Sequence, residues 1–348
     1  MNKPILCFCV GYMPDTNDKE IKNTYGSEIA LIKLSKEFSK KYRVIIFGNS
    51  IFNETTINDI EYLNSNKLEH FQQNNVVDIT IISRYLSTFL DYEIKSKKTF
   101  LWVHDIYPQP YYEGVVLKNN GRELVRKLID KIDGVVVLTN WHKEFIKWYY
   151  GINNVYIIGN GIDITKFEGE NKKIKNKFIW TSHGYRGIDK MLEYFHIIRK
   201  NIPDAELYVY RDETAFSEEA MEEMLKYDYV HFGGKIDNDN IIEEFKSSEM
   251  WFYPTDFEES YCISALEAQL CKCVCVTTDI AALSETVGDR GVLIKEPIYS
   301  EEYKETAINK IVNILTNDNL KKEYQEKGYK WAIEQTWENR AKKWYELF

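Results

Sequence analysis

Glu259 and Glu267 stand eight positions apart in the stretch WFYPTDFEESYCISALEAQLCKCVCVTTDIAALSETVGDRG, Trp251 to Gly291. The apolar run Met250 to Tyr253 predicts a strand. Pro254 ends it, because proline has no N–H for the ladder. An acidic turn, a helix from about Ser260 to Leu270 and a second strand from Cys273 to Thr277 follow. A helix starting near Ser260 leaves the amides of Tyr261, Cys262 and Ile263 without intrahelical partners at the positive end of the dipole. That arrangement suits a diphosphate or sugar hydroxyls. A carboxylate accepts two hydroxyl hydrogen bonds, so Glu267 suits a ribose 2′,3′-diol and Glu259 the hydroxyls of a second sugar. On one helix the two lie about 12 Å apart along the axis and roughly 80° around it, matching the two ends of a sugar nucleotide. Spacing alone is weak, since the chain has 54 acidic residues and hence many such pairs.

Two further places carry candidate chemistry. Gly26 and Ser27 open a helix directly, and its free N–H groups suit a phosphate; a plain helix start reads equally well. His104 and Asp105 end the strand Thr99 to His104. A histidine there either hydrogen-bonds within the fold or faces a cleft, and Asp105 either orients it or serves as an acceptor-side base. The loop Tyr107, Pro108, Gln109, Pro110, Tyr111, Tyr112 follows, its rings suited to stacking on sugar faces or to plain packing. No convincing metal pair is found: Asp237-x-Asp239 falls at a predicted helix start. Cys7 and Cys9, then Cys271, Cys273 and Cys275, alternate as buried strand residues do, with Cys262 alone; zinc sites favour C-x-x-C pairs.

The elements that must position these residues alternate along the chain. Ile5 to Val10, Val44 to Phe47, Val76 to Ser83, Thr99 to His104, Gly134 to Leu138 and Val155 to Ile158 read as parallel-type strands with helices between them. The segment 159–177, rich in glycine and lysine, reads as a linker whose lysines form a solvated face. The alternation then restarts at Phe178 to Thr181, Glu206 to Tyr210, Tyr229 to Phe232 and Met250 to Tyr253. The end of the chain is helical from about Glu302 to Phe348, with a break near Thr336-Trp337. Two α/β halves predict ligand binding at the carboxyl ends of the strands.

Composition narrows the classes. The 348 residues are 44% hydrophobic and 28% charged with net charge −9, which suits two soluble domains and argues against a nucleic-acid partner. No apolar run reaches the roughly 18 residues of a membrane span, and the first residues lack a signal-peptide pattern, so a cytoplasmic protein is expected, with peripheral membrane contact left open. Neither G-x-G-x-x-G after the first strand nor G-x-x-x-x-G-K-[ST] occurs, which weakens dehydrogenase and P-loop readings.

Tyr253-Pro254-Thr255, the run Glu259 to Ala268, Val274 to Thr277 and Glu285-Thr286-Val287 together resemble the donor-site signature of GT-B glycosyltransferases, family 4, the retaining group 1 type. In the same order, Tyr25-Gly26-Ser27-Glu28 resembles that family's G-G-x-E helix start, Ile158 to Asp163 with Phe167 its P-N-G-[VI]-D…F linker, and Arg186-Gly187 its [KR]-G turn. Trp337-Glu338 and the final helix resemble the segment that crosses back to the first domain. The resemblance implies an α/β GT-B fold with two Rossmann-like domains facing across a cleft: 1–165 on the acceptor side, 166–335 for the donor, and 336–348 as a helix returning to the first domain. It implies transfer of a sugar from a UDP- or GDP-linked donor to a glycan, lipid-linked or protein acceptor, with retention and with no metal or other cofactor. It also implies site residues. Glu267 would hold the ribose, Glu259 with the amides of Tyr261, Cys262 and Ile263 the sugar and phosphate, Arg186 the leaving diphosphate, Gly26 and Ser27 a phosphate, and His104 the transferred sugar. Arg186 makes chemical sense on its own, since a fixed guanidinium stabilises the charge of a departing diphosphate. A silent sugar-nucleotide or glycan-binding module and a sugar-nucleotide epimerase are the alternatives.

Two positions depart from the family pattern. A second basic residue is expected five positions before Arg186, and Thr181 stands there, leaving His183 or the helix N-termini to take its part. Lys272 stands where a small residue should follow the donor helix.

Overall fold

The computed structural model describes residues 3–11, 26–51, 53–108, 111–112, 115–116 and 121–348. Its contacts divide the chain into two units, Met1–Gly161 with Trp337–Phe348, and Ile162–Thr336.

In the first unit the strands are β1 (Ile5–Val10), β2 (Arg43–Gly48), β3 (Thr55–Ile57), β4 (Ile60–Asn64), β5 (Ile79–Ser83), β6 (Lys98–Trp102), the short hairpin β7 (Tyr111–Tyr112) and β8 (Val115–Val116), β9 (Gly134–Val137) and β10 (Val155–Ile157). Eight of them form one sheet in the order β10-β9-β6-β5-β1-β2-β4-β3, parallel except for β3 on β4. Helices α1 (Gly26–Ser39), α2 (Leu68–Asn74), α3 (Thr88–Asp91), α4 (Gly121–Ile129) and α5 (Asn140–Tyr150) connect them. Strand order reverses between β1 and β5, so the crevice at the carboxyl ends of this pair is the switch point of the unit. The segment β3–β4–α2 has no counterpart in the sequence reading; its short, polar strands lack an apolar run. Between β5 and β6 the connecting helix is a single turn, α3.

The second unit holds β11 (Lys177–Trp180), α6 (Ile188–Asn201), β12 (Glu206–Val209), α7 (Glu218–Leu225), β13 (Val230–Phe232), α8 (Asn238–Ser247), β14 (Met250–Tyr253), α9 (Ile263–Leu270), β15 (Val274–Thr278), α10 (Leu283–Thr286), β16 (Val292–Ile294), α11 (Glu301–Thr316) and α12 (Asp318–Ala332). Its six strands are all parallel, in the order β13-β12-β11-β14-β15-β16, and its switch point lies between β11 and β14. All six cysteines are buried and unbridged, the alternating ones as their pattern predicts; burial pushes the Cys9 thiol up to about 12. Asp237 caps α8, accepting from the Asn240 amide at 2.8 Å.

The solvated-lysine reading of 159–177 is corrected at two positions. Lys173 Nζ donates to the Cys271 carbonyl at 2.7 Å and to that of Ser248, and Lys177, 3% exposed, is paired with Glu244. Both cations satisfy oxygens at the base of the second sheet, which composition alone cannot reveal.

The final helix α13 (Trp337–Tyr345) belongs to the first unit. Trp344 is fully buried, edge-on to Phe38, Phe100 and Trp102 at ring distances of 6.3, 6.1 and 5.8 Å. Arg340 Nε donates to the Asn160 carbonyl at 3.1 Å. A Cβ on Gly161 would stand 2.5–2.8 Å from Trp337, so the linker glycine is where the returning helix touches the chain.

Candidate active site

In the second unit the switch-point crevice is bounded by the turn after β11 and the segment after β14. Arg186 closes the turn. Gly187 follows it with φ +109°, and a Cβ there would lie 2.1 Å from the Pro254 carbonyl, so only glycine lets the turn approach β14 this closely. Arg186 Nη1 donates to Glu259 Oε1 at 2.8 Å, and the Tyr253 hydroxyl donates to the same oxygen at 2.9 Å. The guanidinium also lies 4.0 Å from the centre of the Phe257 ring. Burial by itself would lower the Arg186 guanidinium, but the facing Glu259 charge outweighs it, raises it and keeps it ionised.

The helix carrying the second glutamate is shorter than the sequence predicts. It starts at Ile263, with Cys262 as its cap in the left-handed region, φ 64°. Tyr261 and Cys262 therefore precede the helix, and its first-turn amides are those of Ile263, Ser264 and Ala265. The correction reaches Glu259 as well. It lies outside the helix, 9% exposed and tied to Arg186 and Tyr253, so the helical separation inferred for the pair does not apply. The local reason is Cys262: its left-handed backbone cannot belong to a right-handed helix, so the helix begins only after it.

Glu267 sits on the second turn of α9, half-buried, and among the described residues nothing hydrogen-bonds or ion-pairs with its carboxylate. Burial pushes that carboxyl up to about 7. An unpartnered acceptor pair in a crowded setting suits a diol, whose two hydroxyls would stabilise the charged form. Thr181 Oγ1 lies 3.4 Å from Ser264 Oγ, joining the end of β11 to the start of α9. Lys272 adopts φ 58°, so the left-handed turn that the family fills with a small residue is kept here by a lysine. Its ammonium pairs with Glu326 at 2.7 Å.

In the first unit the candidates behave differently. His104 is buried, its ring 4.3 Å from that of Trp102, and burial pushes it down to about 3, so it is a neutral imidazole at pH 7. Asp105 is gripped at both oxygens by Arg84, through Nε at 2.9 Å and Nη2 at 3.3 Å. Arg84 Nη1 also donates to Glu28 at 3.1 Å. Gly26 and Ser27 stand in the first turn of α1; Tyr25, the loop 12–24 and residues 109–110 lie outside the described residues. Tyr107 packs edge-on against Phe145 and Tyr149 at 5.4 and 5.8 Å. Sequence reasoning missed Arg84, Arg211 and the Tyr253 hydroxyl. A signal existed for the two arginines: each stands within two residues of the carboxyl end of a buried strand.

Residues 163–331 match the family model for glycosyl transferases, group 1. The chain is a glycosyltransferase with a group 1 domain. Among solved structures, this glycosyltransferase is similar to sucrose-phosphate synthase from Thermosynechococcus elongatus, with 13% identity over 99% of this chain and 98% of that one and a TM-score of 0.76. It is similar to a glycosyltransferase from Rickettsia africae, with 15% identity over 99% and 97% and a TM-score of 0.75. A third is Alr3699/HepE of Anabaena in complex with UDP, with 14% identity over 99% of both chains and a TM-score of 0.72. These likenesses establish the fold, GT-B with two Rossmann-like domains. No curated protein matches the sequence. Among the described residues, no helix of this glycosyltransferase is long and apolar enough to cross a membrane.

Proposed function

We propose that the enzyme transfers a sugar from a nucleoside diphosphate sugar, UDP- or GDP-linked, to a hydroxyl of a glycan, lipid-linked or protein acceptor, retaining the anomeric configuration and using no metal. The observation that carries this reading is Arg186. It is a charged guanidinium at the switch point of the second sheet, beside the start of α9 and in the same unit as the open carboxylate of Glu267. The occurrence of UDP in the Anabaena relative supports a uridine nucleotide as the first donor to try.

The roles follow from the chemistry of each group. Glu267 accepts the two ribose hydroxyls. The first-turn amides of α9 and Arg186 receive the diphosphate. In the transfer step the bond from the anomeric carbon to the phosphate oxygen breaks, and its electron pair stays on the diphosphate. The acceptor oxygen bonds to the anomeric carbon on the same face, and its proton passes to the leaving phosphate oxygen. Arg186 stabilises the charge that grows there. Without donor, Arg186 is neutralised by Glu259; a diphosphate competes for the guanidinium and frees Glu259 Oε1 for a sugar hydroxyl.

The test is hydrolysis of a panel of UDP- and GDP-sugars without acceptor, for wild type and Arg186→Ala. Slow release of the nucleotide by wild type, at least about 100-fold slower in the variant, supports the reading. Equal rates would remove Arg186 from the chemistry.

A further inference from the structure

Thr181 takes the place of a cation that the family resemblance expects in the diphosphate site, and its hydroxyl contacts Ser264 and carries no charge. The loops beside it contain an arginine that no sequence motif marks. Arg211 lies two residues beyond β12, and Tyr210 before it donates its amide to the Trp180 carbonyl at 2.9 Å, bringing this loop to the end of β11. A Cβ on Gly184 would stand 2.8 Å from the Ala215 carbonyl, so the 181–187 and 210–216 loops are packed directly on each other.

Arg211 Nη2 lies 2.7 Å from His183 Nε2. A guanidinium has no acceptor, so it donates and Nε2 accepts, which places the imidazole proton on Nδ1. His183 thereby becomes an N–H donor three residues before Arg186. Its ring stacks on Tyr185 at 5.4 Å. Burial and the two flanking guanidinium groups, Arg211 and Arg186, hold the ring below its ordinary pKa, hence neutral. The remaining neighbour of opposite charge, Asp212, is turned to Thr214, accepting from its amide at 3.1 Å and its hydroxyl at 2.7 Å. Among the described residues no carboxylate ion-pairs with Arg211. A half-buried guanidinium whose direct partner is a neutral ring, with Asp212 acting on it only without a direct ion pair, keeps charge available for a ligand.

We propose that Arg211, with the His183 ring it fixes, supplies the second positive group for the donor diphosphate, from a neighbouring strand end in place of Thr181. The proposal rests on the donor reading above. His183 presents Nδ1–H to a phosphate oxygen, and Arg211 provides the full charge behind it.

The test is isothermal titration of wild type, Arg211→Ala, Arg211→Lys and the double variant Arg211→Ala with His183→Ala, using UDP and GDP and the matching nucleosides, with thermal melts as the folding control. Arg211→Ala is expected to lose about ten- to hundredfold in diphosphate affinity and to keep nucleoside affinity, with part of the loss restored in Arg211→Lys. Freed from Arg211, His183 can take up a proton. The gap between wild type and Arg211→Ala should therefore narrow from pH 8 to pH 6, and the narrowing should vanish in the double variant. A purely structural arginine would not produce that pH dependence. Wild type that binds UDP or GDP while Arg211→Ala binds equally, or loses nucleoside affinity to the same degree, overturns this proposal alone. Wild type that binds neither diphosphate overturns the donor reading and this proposal with it. Should Arg211→Ala melt early, Arg211→Lys against Arg211→Met reads the same charge difference with the stem retained.

Discussion

The two units repeat one device with opposite balance. Each sheet places an arginine at the carboxyl end of a strand at its switch point, Arg84 after β5 and Arg186 after β11, and each arginine meets a buried glutamate. Arg84 is held by two carboxylates, Glu28 and Asp105, so the guanidinium is fully engaged, while the buried Glu28 Oε2 has no hydrogen-bond partner among the described residues. Among the described residues Arg186 ion-pairs with one carboxylate and Arg211 with none, and Glu267 stands unpartnered. The first cluster leaves no cation over; the second leaves a cation as well as an acceptor for something else to satisfy. The same topology thus yields a doubly paired arginine in one unit and less fully paired cations in the other, and the difference lies in how many carboxylates reach each guanidinium.

Arg186→Ala should sharpen that contrast most, lowering turnover about 100- to 1,000-fold in steady-state kinetics; unchanged kcat would make the second cluster a brace like the first. Arg84→Ala should instead act on stability. It leaves Glu28, 5% exposed, without its cation, and should lower the unfolding free energy by about 3 kcal/mol in denaturant titration. A variant as stable as wild type would show that the first cluster does not brace the unit.

Glu267 tests the open side. Glu267→Ala should weaken UDP or GDP binding by about ten- to a hundredfold by calorimetry, and unchanged affinity would sink the ribose role. Its raised carboxyl also makes a stability statement. With a folded value of about 7 above the ordinary 4.5, the folded chain binds the extra proton, so stability is fully present below about pH 4.5 and is lost as pH rises through 7. Glu267→Gln should therefore be more stable than wild type above pH 8, by about 1 to 3 kcal/mol, while binding nucleotide less well. For the same reason wild-type nucleotide affinity should rise from pH 6 to 8 with proton release, visible as a buffer-dependent binding enthalpy.

The smallest effect is expected at Lys272. Replacing it by glycine relieves a left-handed backbone but removes the ion pair with Glu326, so stability should change by less than about 1 kcal/mol. A larger loss would mean that the lysine has a task beyond the turn.

Much of the fold was legible because buried parallel strands are unbroken apolar runs, and runs such as Ile5–Val10 and Met250–Tyr253 are read directly. The segment β3–β4–α2 was not, since its residues carry no such pattern. The donor motif pointed to the stretch that follows β14 at the switch point of the second sheet. The start of α9 was misplaced by three residues because nothing local signals that Tyr261 is buried and Cys262 takes a left-handed backbone.

By itself the sequence determined the alternation of strands and helices, the points where Pro254 and Gly187 act, the burial of the cysteines and the types of groups available for chemistry. These depend on periodicity and on single-residue backbone rules, which are local. Only the tertiary structure decided which charge meets which: Glu259 with Arg186 and Tyr253, Asp105 with Arg84, Arg211 with His183. Those pairings join residues 21 to 73 positions apart for the arginine partners, across strands whose order in the sheet is not their order in the chain. Electrostatic balance is set by distances of a few ångströms, and strand order, which no local pattern encodes, sets those distances.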